Sequence, residues 1–196
     1  MEADRVKWNE RYADDEYQMG LAPSRYLAER VELLSSLSPG RKALDIACGE
    51  GRNSIFLAHH GFQVTAVDIS NRGVEKGQRR MEKEGVTVDF RTDDLEGYEI
   101  SEQYDLIVNI NFLLRDLIPK GVAALNQGGI FLFETILDSP TLPGSHTRSY
   151  LLQPGELRQL FTREAGIILE YAEFPDAETP TARILFKKQQ PDTGVT

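Results

Sequence analysis

Residues 44–53 read Leu44-Asp45-Ile46-Ala47-Cys48-Gly49-Glu50-Gly51-Arg52-Asn53. The run 42–47, which ends inside this stretch, is short and apolar, as a buried strand is. From Asn53 to His60 the side chains of Ile55, Phe56, Leu57 and Ala58 fit a helix, and Gly61 stops it. The stretch is therefore a strand-to-helix junction. Its glycines, in G-x-G spacing, let the chain turn sharply and approach a ligand with no Cβ in the way. The helix beyond offers free N–H groups and a partial positive charge, so the junction favours a nucleotide or a carboxylate-bearing ligand.

Outward from this junction, strand and helix signals alternate. Residues 62–68, 86–91, 104–110 and 130–136 are rich in β-branched and aromatic side chains and read as strands. Ser70 caps a helix to Glu84 with Val74, Gln78 and Met81 on one face, stopped by Gly85. A helix over 112–125, kinked at Pro119, ends at Asn126-Gln127-Gly128-Gly129. Strands separated by helix-length segments imply βαβ units and a mostly parallel sheet. Upstream, Pro23 and Ser24 open a helix over 24–37 in which Leu27, Val31 and Leu34 repeat at helical spacing. Downstream, a long stretch over 137–153 precedes a helix begun by Pro154 and closed by Gly166. Residues 167–174 and 182–187 then read as an antiparallel hairpin.

The chain has 196 residues, enough for one domain over 1–196 with one core. Within it, residues 1–22 are charged and mixed, with Trp8, Tyr12, Tyr17 and Leu21 as the large apolar side chains, and 189–196 form a loose tail. Lys and Arg total 22 against 31 Asp and Glu, so 22 − 31 = −9. That charge repels phosphate backbones and anionic bilayers, which argues against nucleic-acid and membrane partners. No apolar run reaches the ~18–20 residues of a membrane span. The opening residues lack a signal peptide's apolar stretch, and Cys48 is the single cysteine, so the chain reads as cytoplasmic with no internal disulfide. No His, Cys and carboxylate set has metal-ligand spacing, so no metal is expected.

Three aspartates strengthen the ligand reading. Asp45 lies in the first strand, where a carboxylate holds the loop or meets an ammonium group. Asp68 ends the second strand, near the spacing expected of an acid that binds a ribose diol. Asp94 follows the third strand, and a parallel sheet brings all three strand ends to one edge. A dinucleotide loop wants a third glycine where this chain has Ser54, and Glu50 facing a pyrophosphate is unfavourable. A ligand with an amino-acid end and a positive sulfur fits better. Cys48 reads as a small side chain in a tight loop, and His59 and His60 as solvent-facing residues at a helix C-terminus.

The run from Asp45 to Asn53, followed by Val67-Asp68-Ile69-Ser70 and Asp94-Leu95, resembles the class I S-adenosylmethionine-dependent methyltransferases. The likeness covers nearly the whole chain. Trp8-Asn9-Glu10-Arg11-Tyr12, the Gly-Glu-Gly-Arg-Asn loop and Tyr150-Leu151-Leu152-Gln153-Pro154-Gly155-Glu156 are most similar to the small-molecule branch that includes tellurite-resistance methyltransferases. The resemblance implies an α/β fold: a Rossmann-like, doubly wound seven-stranded sheet in the order 3-2-1-4-5-7-6 with strand 7 antiparallel. It also implies S-adenosylmethionine as cofactor and S-adenosylhomocysteine as product.

By the same resemblance Asp45, the backbone of Ala47, Cys48, Gly49 and Gly51, and Asn53 surround the methionine part. Asp68 binds the ribose hydroxyls and Ile69 packs on adenine. Asp94 accepts from the adenine amino group and the Leu95 N–H meets a ring nitrogen. Asn109 and Ile110 line the sulfonium side, and the 1–22 segment, through Tyr12, covers the cofactor. Family members often carry a histidine shortly after strand four; Asn111-Phe112-Leu113-Leu114-Arg115 has none, so no catalytic residue is assigned. The acceptor is expected to be a small molecule, with Tyr12, Arg115, His146, Arg148 and Tyr150 as candidate contacts; the arginines suit an anion. The 138–152 loop, too long for a simple connection, belongs to its pocket. Two other classes stay open: a nicotinamide-dependent oxidoreductase, disfavoured by the missing glycine, and a non-catalytic S-adenosylmethionine-binding regulator.

Overall fold

The structure, a computed structural model, describes residues 2–142 and 147–189. Seven strands form one sheet in the order β3-β2-β1-β4-β5-β7-β6, the order the family resemblance implies. β7 (Thr181–Lys188) runs antiparallel to both β5 (Leu125–Ile136) and β6 (Gly166–Phe174). The chain divides into two compact units, Met1–Glu99 and Ile100–Thr196.

In the first unit β1 (Lys42–Ile46), β2 (Gln63–Asp68) and β3 (Val88–Thr92) pair in parallel. Ala43, Leu44, Ile46, Val64, Ala66 and Val67 are all buried. Strands covered on both faces need continuous apolar runs, which is why 42–47 and 62–68 lack clean alternation. Each fully buried Val, Leu or Ile contributes about 1.5–3 kcal/mol. α4 (Arg52–His59) and α5 (Asn71–Glu84) connect these strands. Ser70 caps α5, its hydroxyl accepting from Gly73 N, and Gly85 closes it in the left-handed region. The buried face of α5 is Gly73, Val74, Lys76 and Gly77; Gln78 and Met81 are only half-buried.

Upstream, α1 (Glu2–Arg11) fills much of the segment read as charged and mixed. The helix expected over 24–37 is two pieces, α2 (Arg25–Ala28) and α3 (Val31–Leu37). Arg30 N–H reaches back three residues to Leu27 O rather than four, and Arg30 leaves the helical region at φ −119°. Its guanidinium lies over the Tyr26 ring.

In the second unit β4 (Tyr104–Ile110) pairs in parallel with β5, and α6 spans Leu117–Ala124. α6 begins five residues later than expected from the sequence. Asn111 adopts φ +60° and the Asn109 side-chain amide donates to Phe112 O, holding 111–112 out of a helix. Pro119 consequently falls in the first turn, where a missing N–H costs nothing, and gives no kink. The Asn126-to-Gly129 stretch is an irregularity within β5 rather than a helix stop. α7 is Glu156–Thr162, capped by Gly155 in the left-handed region, so Pro154 precedes the helix and Gly166 opens β6 instead of ending α7. Phe161 packs edge-on against Phe131 and Phe133 at the centre of this unit's core.

Candidate functional site

The loop after β1 is built from backbone positions that most residues avoid. Ala47, Gly49 and Gly51 take φ values of +54°, +55° and +76°. For an alanine the left-handed region costs about 1–2 kcal/mol, so the surrounding contacts must hold Ala47 there. Cys48 N donates to Val67 O and Gly51 N to Cys48 O, which locks the turn against the end of β2. Gly73 lets α5 lie on this loop: a Cβ there would stand 3.0 Å from Gly49 O.

Asp68 is the hub of the edge. Oδ2 accepts from Gly49 N and Oδ1 from Ser70 N, each at 2.8 Å, and the side chain is only 6% exposed. Burial pushes its carboxyl up, and the N–H groups of Ser70 and Gly49 pull it back down. A carboxylate has about four lone-pair sites, so its oxygens keep capacity for a ligand's hydroxyls beside these N–H groups. Asp68 O accepts from Asp93 N, and Thr92 stands in register with Asp68, which brings Asp94 and Leu95 to the adjoining strand end. Asp94 is half-buried and accepts from Glu96 N, while Leu95 is buried. Ile69, half-buried, keeps part of its side chain accessible.

Asp45 is fully enclosed and accepts a 2.5 Å hydrogen bond from the Ser54 hydroxyl. Burial, only partly countered by Ser54 and Arg52, raises its pKa to about 7. Cys48 is buried, and burial with the nearby Asp68 and Asp45 charges holds its thiol well up, as suits a packing residue.

The side chains of the loop serve the chain's own N-terminal segment. Tyr12, buried and stacked on Trp8, sets its hydroxyl 2.7 Å from where a Gly49 Cβ would stand. Burial, then Asp68 and Glu50, keeps that hydroxyl protonated. Gln18 N donates to Glu50 Oε2, Arg52 to Met19 O, and Ser24 N to Asn53 Oδ1. Asn53, expected at the ligand, thus uses its carbonyl oxygen to tether residue 24. Glu50 is committed to Lys76 and Gln18 N, so the argument against a dinucleotide rests on the absent third glycine. α1 docks on the same edge, with Arg5 donating to Ile69 O and Ser70 Oγ to Asn9 Oδ1. The roles of Glu50, Lys76, Ser54, Arg5 and Asn9 in holding the loop and the N-terminal segment escaped the sequence reading. The one available signal was the Gly73/Gly77 pair, which marks the α5 face that meets the loop.

In the second unit Asn109 and Ile110 are buried at the carboxyl end of β4, with the Asn109 amide committed to Phe112 O. Arg115, expected to meet an anionic acceptor, forms a two-pronged pair with Glu156 at 2.5 and 3.0 Å and donates to Ser149 O and Leu151 O. That pairing holds the Glu156 carboxyl below its ordinary range and makes Arg115 a frame for the loop instead of a free cation. Arg148 and Tyr150 lie exposed on a 3-10 turn, Arg148–Tyr150. His146 falls outside the described residues. Among the described residues no His, Cys, Asp and Glu group is arranged to hold a metal, and no helix is long and apolar enough to cross a membrane.

The strand order, the glycine loop after β1 and the aspartate ending β2 together define the class I methyltransferase fold. A sequence model described as "Tellurite resistance protein TehB" matches residues 6–175, and the chain belongs to that family. It is 29% identical over 150 residues to the probable S-adenosyl-L-methionine-dependent methyltransferase TehB of Haemophilus influenzae, covering 73% of this chain and 51% of that one. The chain therefore spans about half the length of that relative. The crystal structure of TehB from the same organism superposes with a TM-score of 0.69 at 23% identity, over 94% of this chain and 67% of that one. The N-methyltransferase NodS from Bradyrhizobium japonicum, solved with S-adenosyl-L-homocysteine, gives 0.70 at 19% identity, over 95% and 98%.

Proposed function

We propose that the chain binds S-adenosylmethionine along the ends of β1, β2 and β3 and transfers its methyl group to a small-molecule acceptor. The observation that carries this reading is Asp68, a buried carboxylate whose two oxygens are fixed by Gly49 N and Ser70 N beside a left-handed loop. A ribose diol needs such an acceptor, and the glycine at 49 leaves the space a Cβ would fill. Family membership and the TehB relative support the same cofactor. When bound, the cofactor supplies a sulfonium leaving group, so the protein's own work is to desolvate and align the acceptor. Asp45 faces the ammonium group, Ile69 the adenine face, and Asp94 with Leu95 N–H the adenine edge. Calorimetry with S-adenosylhomocysteine, followed by transfer of labelled methyl groups to an acceptor library, tests the reading. Absence of any affinity for either form of the cofactor would refute it.

Asp45 gives the cofactor affinity a direction in pH. Its raised pKa, about 7, means that the carboxyl takes up a proton as pH falls through neutrality. A bound ammonium favours the ionised form, so binding releases a proton at and below that pH. Affinity is therefore expected to weaken as pH drops from about 8 to about 6, by up to about tenfold per unit below the pKa. Asp45→Asn should flatten the profile, and titrations in buffers of different ionisation enthalpy should detect the released proton in the wild type only.

The acceptor is read as an anion met by the 138–152 segment. Arg148 is its cation, since Arg115 is neutralised by Glu156, and Tyr150 adds a hydroxyl. Arg148→Ala and Tyr150→Phe are expected to lower kcat/KM for the true acceptor by about tenfold each, the worth of one hydrogen bond to a charged group. Cofactor affinity, measured in parallel, should stay at the wild-type value.

A further inference from the structure

Lys76 is an unusual resident of a buried helix face. Its side chain is 7% exposed and lies beside Glu50, 4% exposed, with Nζ 2.5 Å from Oε1. The same Nζ donates to Asp14 O at 2.9 Å and Glu16 O at 2.6 Å, and sits 4.9 Å from the centre of the Tyr17 ring. The other oxygen of Glu50 accepts from Gln18 N. One buried ion pair thus grips the chain at residues 14, 16 and 18, and the Tyr17 ring between them. Immediately upstream is Tyr12, whose hydroxyl stands over Gly49.

Desolvating two charges is expensive, and apolar residues of the same volume would pack this spot at less cost. What an apolar pair cannot do is bind the carbonyl oxygens and N–H of a segment made of turns and bends. The side chains of residues 50, 52 and 53 each hold a later point of that segment, at 18, 19 and 24, so it lies along the loop like a strap. The buried pair joins α5, the loop and the strap in one contact.

We propose that Lys76, acting through Glu50, is a positioning residue for the cofactor site: it holds the 12–18 strap closed and keeps Tyr12 over Gly49. The proposal rests on the reading that this loop binds S-adenosylmethionine. Lys76 touches neither cofactor nor acceptor; it sets the fraction of molecules whose site is closed. If loosening the strap leaves about a tenth of the molecules closed, apparent cofactor affinity falls about tenfold with no change in the ligand's own contacts.

The test uses Lys76→Met, which keeps the stem and removes the charge, Glu50→Gln, which keeps the shape, and Lys76→Arg as the conservative variant. Cleavage after Glu16 by a glutamate-specific protease reports strap opening, and calorimetry with S-adenosylhomocysteine reports the site. Lys76→Met and Glu50→Gln are expected to speed cleavage and weaken affinity by about tenfold. Methyl transfer by both should show the loss in KM for S-adenosylmethionine, with kcat largely kept, and Lys76→Arg should restore much of it. Saturating S-adenosylhomocysteine should slow cleavage of the wild type. Faster cleavage with unchanged affinity, or unchanged cleavage in folded variants, overturns this inference alone. Wild-type protein that binds no cofactor overturns both it and the reading beneath it. Should Lys76→Met fail to fold, Glu50→Gln decides by the same criteria.

Discussion

Gly49→Val is expected to abolish measurable binding of S-adenosylmethionine while leaving a folded chain. Position 49 holds φ +55°, where a β-branched residue pays about 1–2 kcal/mol or more. The new Cβ would also stand 2.7 Å from the Tyr12 hydroxyl and 3.4 Å from the ring carbon that bears it. Tyr12 is buried and stacked on Trp8, so it yields only by lifting the strap, and overpacking of this kind costs about 1–3 kcal/mol more. Shifting the loop instead breaks the Gly49 N to Asp68 bond. A combined loss of about 2–5 kcal/mol is a factor of about 30 to several thousand in Kd. Gly49→Ala, with the same backbone strain and less bulk, should fall between. Calorimetry with circular dichroism as the folding control checks both, and wild-type affinity in a folded valine variant would place the ligand elsewhere.

Asp68→Ala is expected to weaken the cofactor by about 10–100-fold, since a hydrogen bond to a charged group is worth about 1.5–3 kcal/mol. Asn is no conservative replacement here. Both carboxylate oxygens accept from backbone N–H groups, so an amide would turn an N–H₂ toward either Gly49 N or Ser70 N. Asp68→Asn should therefore lose nearly as much as Asp68→Ala, and Asp68→Glu should recover little because the loop fixes the reach. Equal affinity in Asp68→Asn and wild type would mean that the carboxylate orders the loop without meeting the ligand.

The strands, and the edge carrying Asp45, Gly49, Asp68 and Asp94, are legible in the sequence because local grammar writes them; the order of the strands comes from the family resemblance. Apolar runs mark strands buried on both faces, Ser70 and Gly85 bracket α5, and a glycine after a strand marks a turn that only a few residues tolerate. The strap is written in no such grammar. The Ser70 hydroxyl meets the Asn9 side-chain oxygen, and Lys76 meets a backbone oxygen of Asp14 that any residue type would provide, each across some sixty residues. Glu50 and Arg52 look like solvated loop charges until the fold shows what lies against them. Arg115 misleads for a related reason: its partner, Glu156, is 41 residues away in sequence, and an arginine paired in the fold cannot be told from a free one in the chain. The late start of α6 is also invisible, since it depends on the Asn109 amide finding Phe112 O.

Helix α1 buries no side chain, and it is attached through Arg5, Asn9 and the Trp8 ring rather than through an apolar stripe. Detaching it therefore exposes little apolar surface, and the heat capacity scarcely changes. Global unfolding, which uncovers the cores around Leu44 and Phe161, has a curved temperature dependence; release of this helix follows a nearly straight van't Hoff line. Release of α1 is therefore expected to vary with temperature along its own line, apart from the unfolding of the sheet.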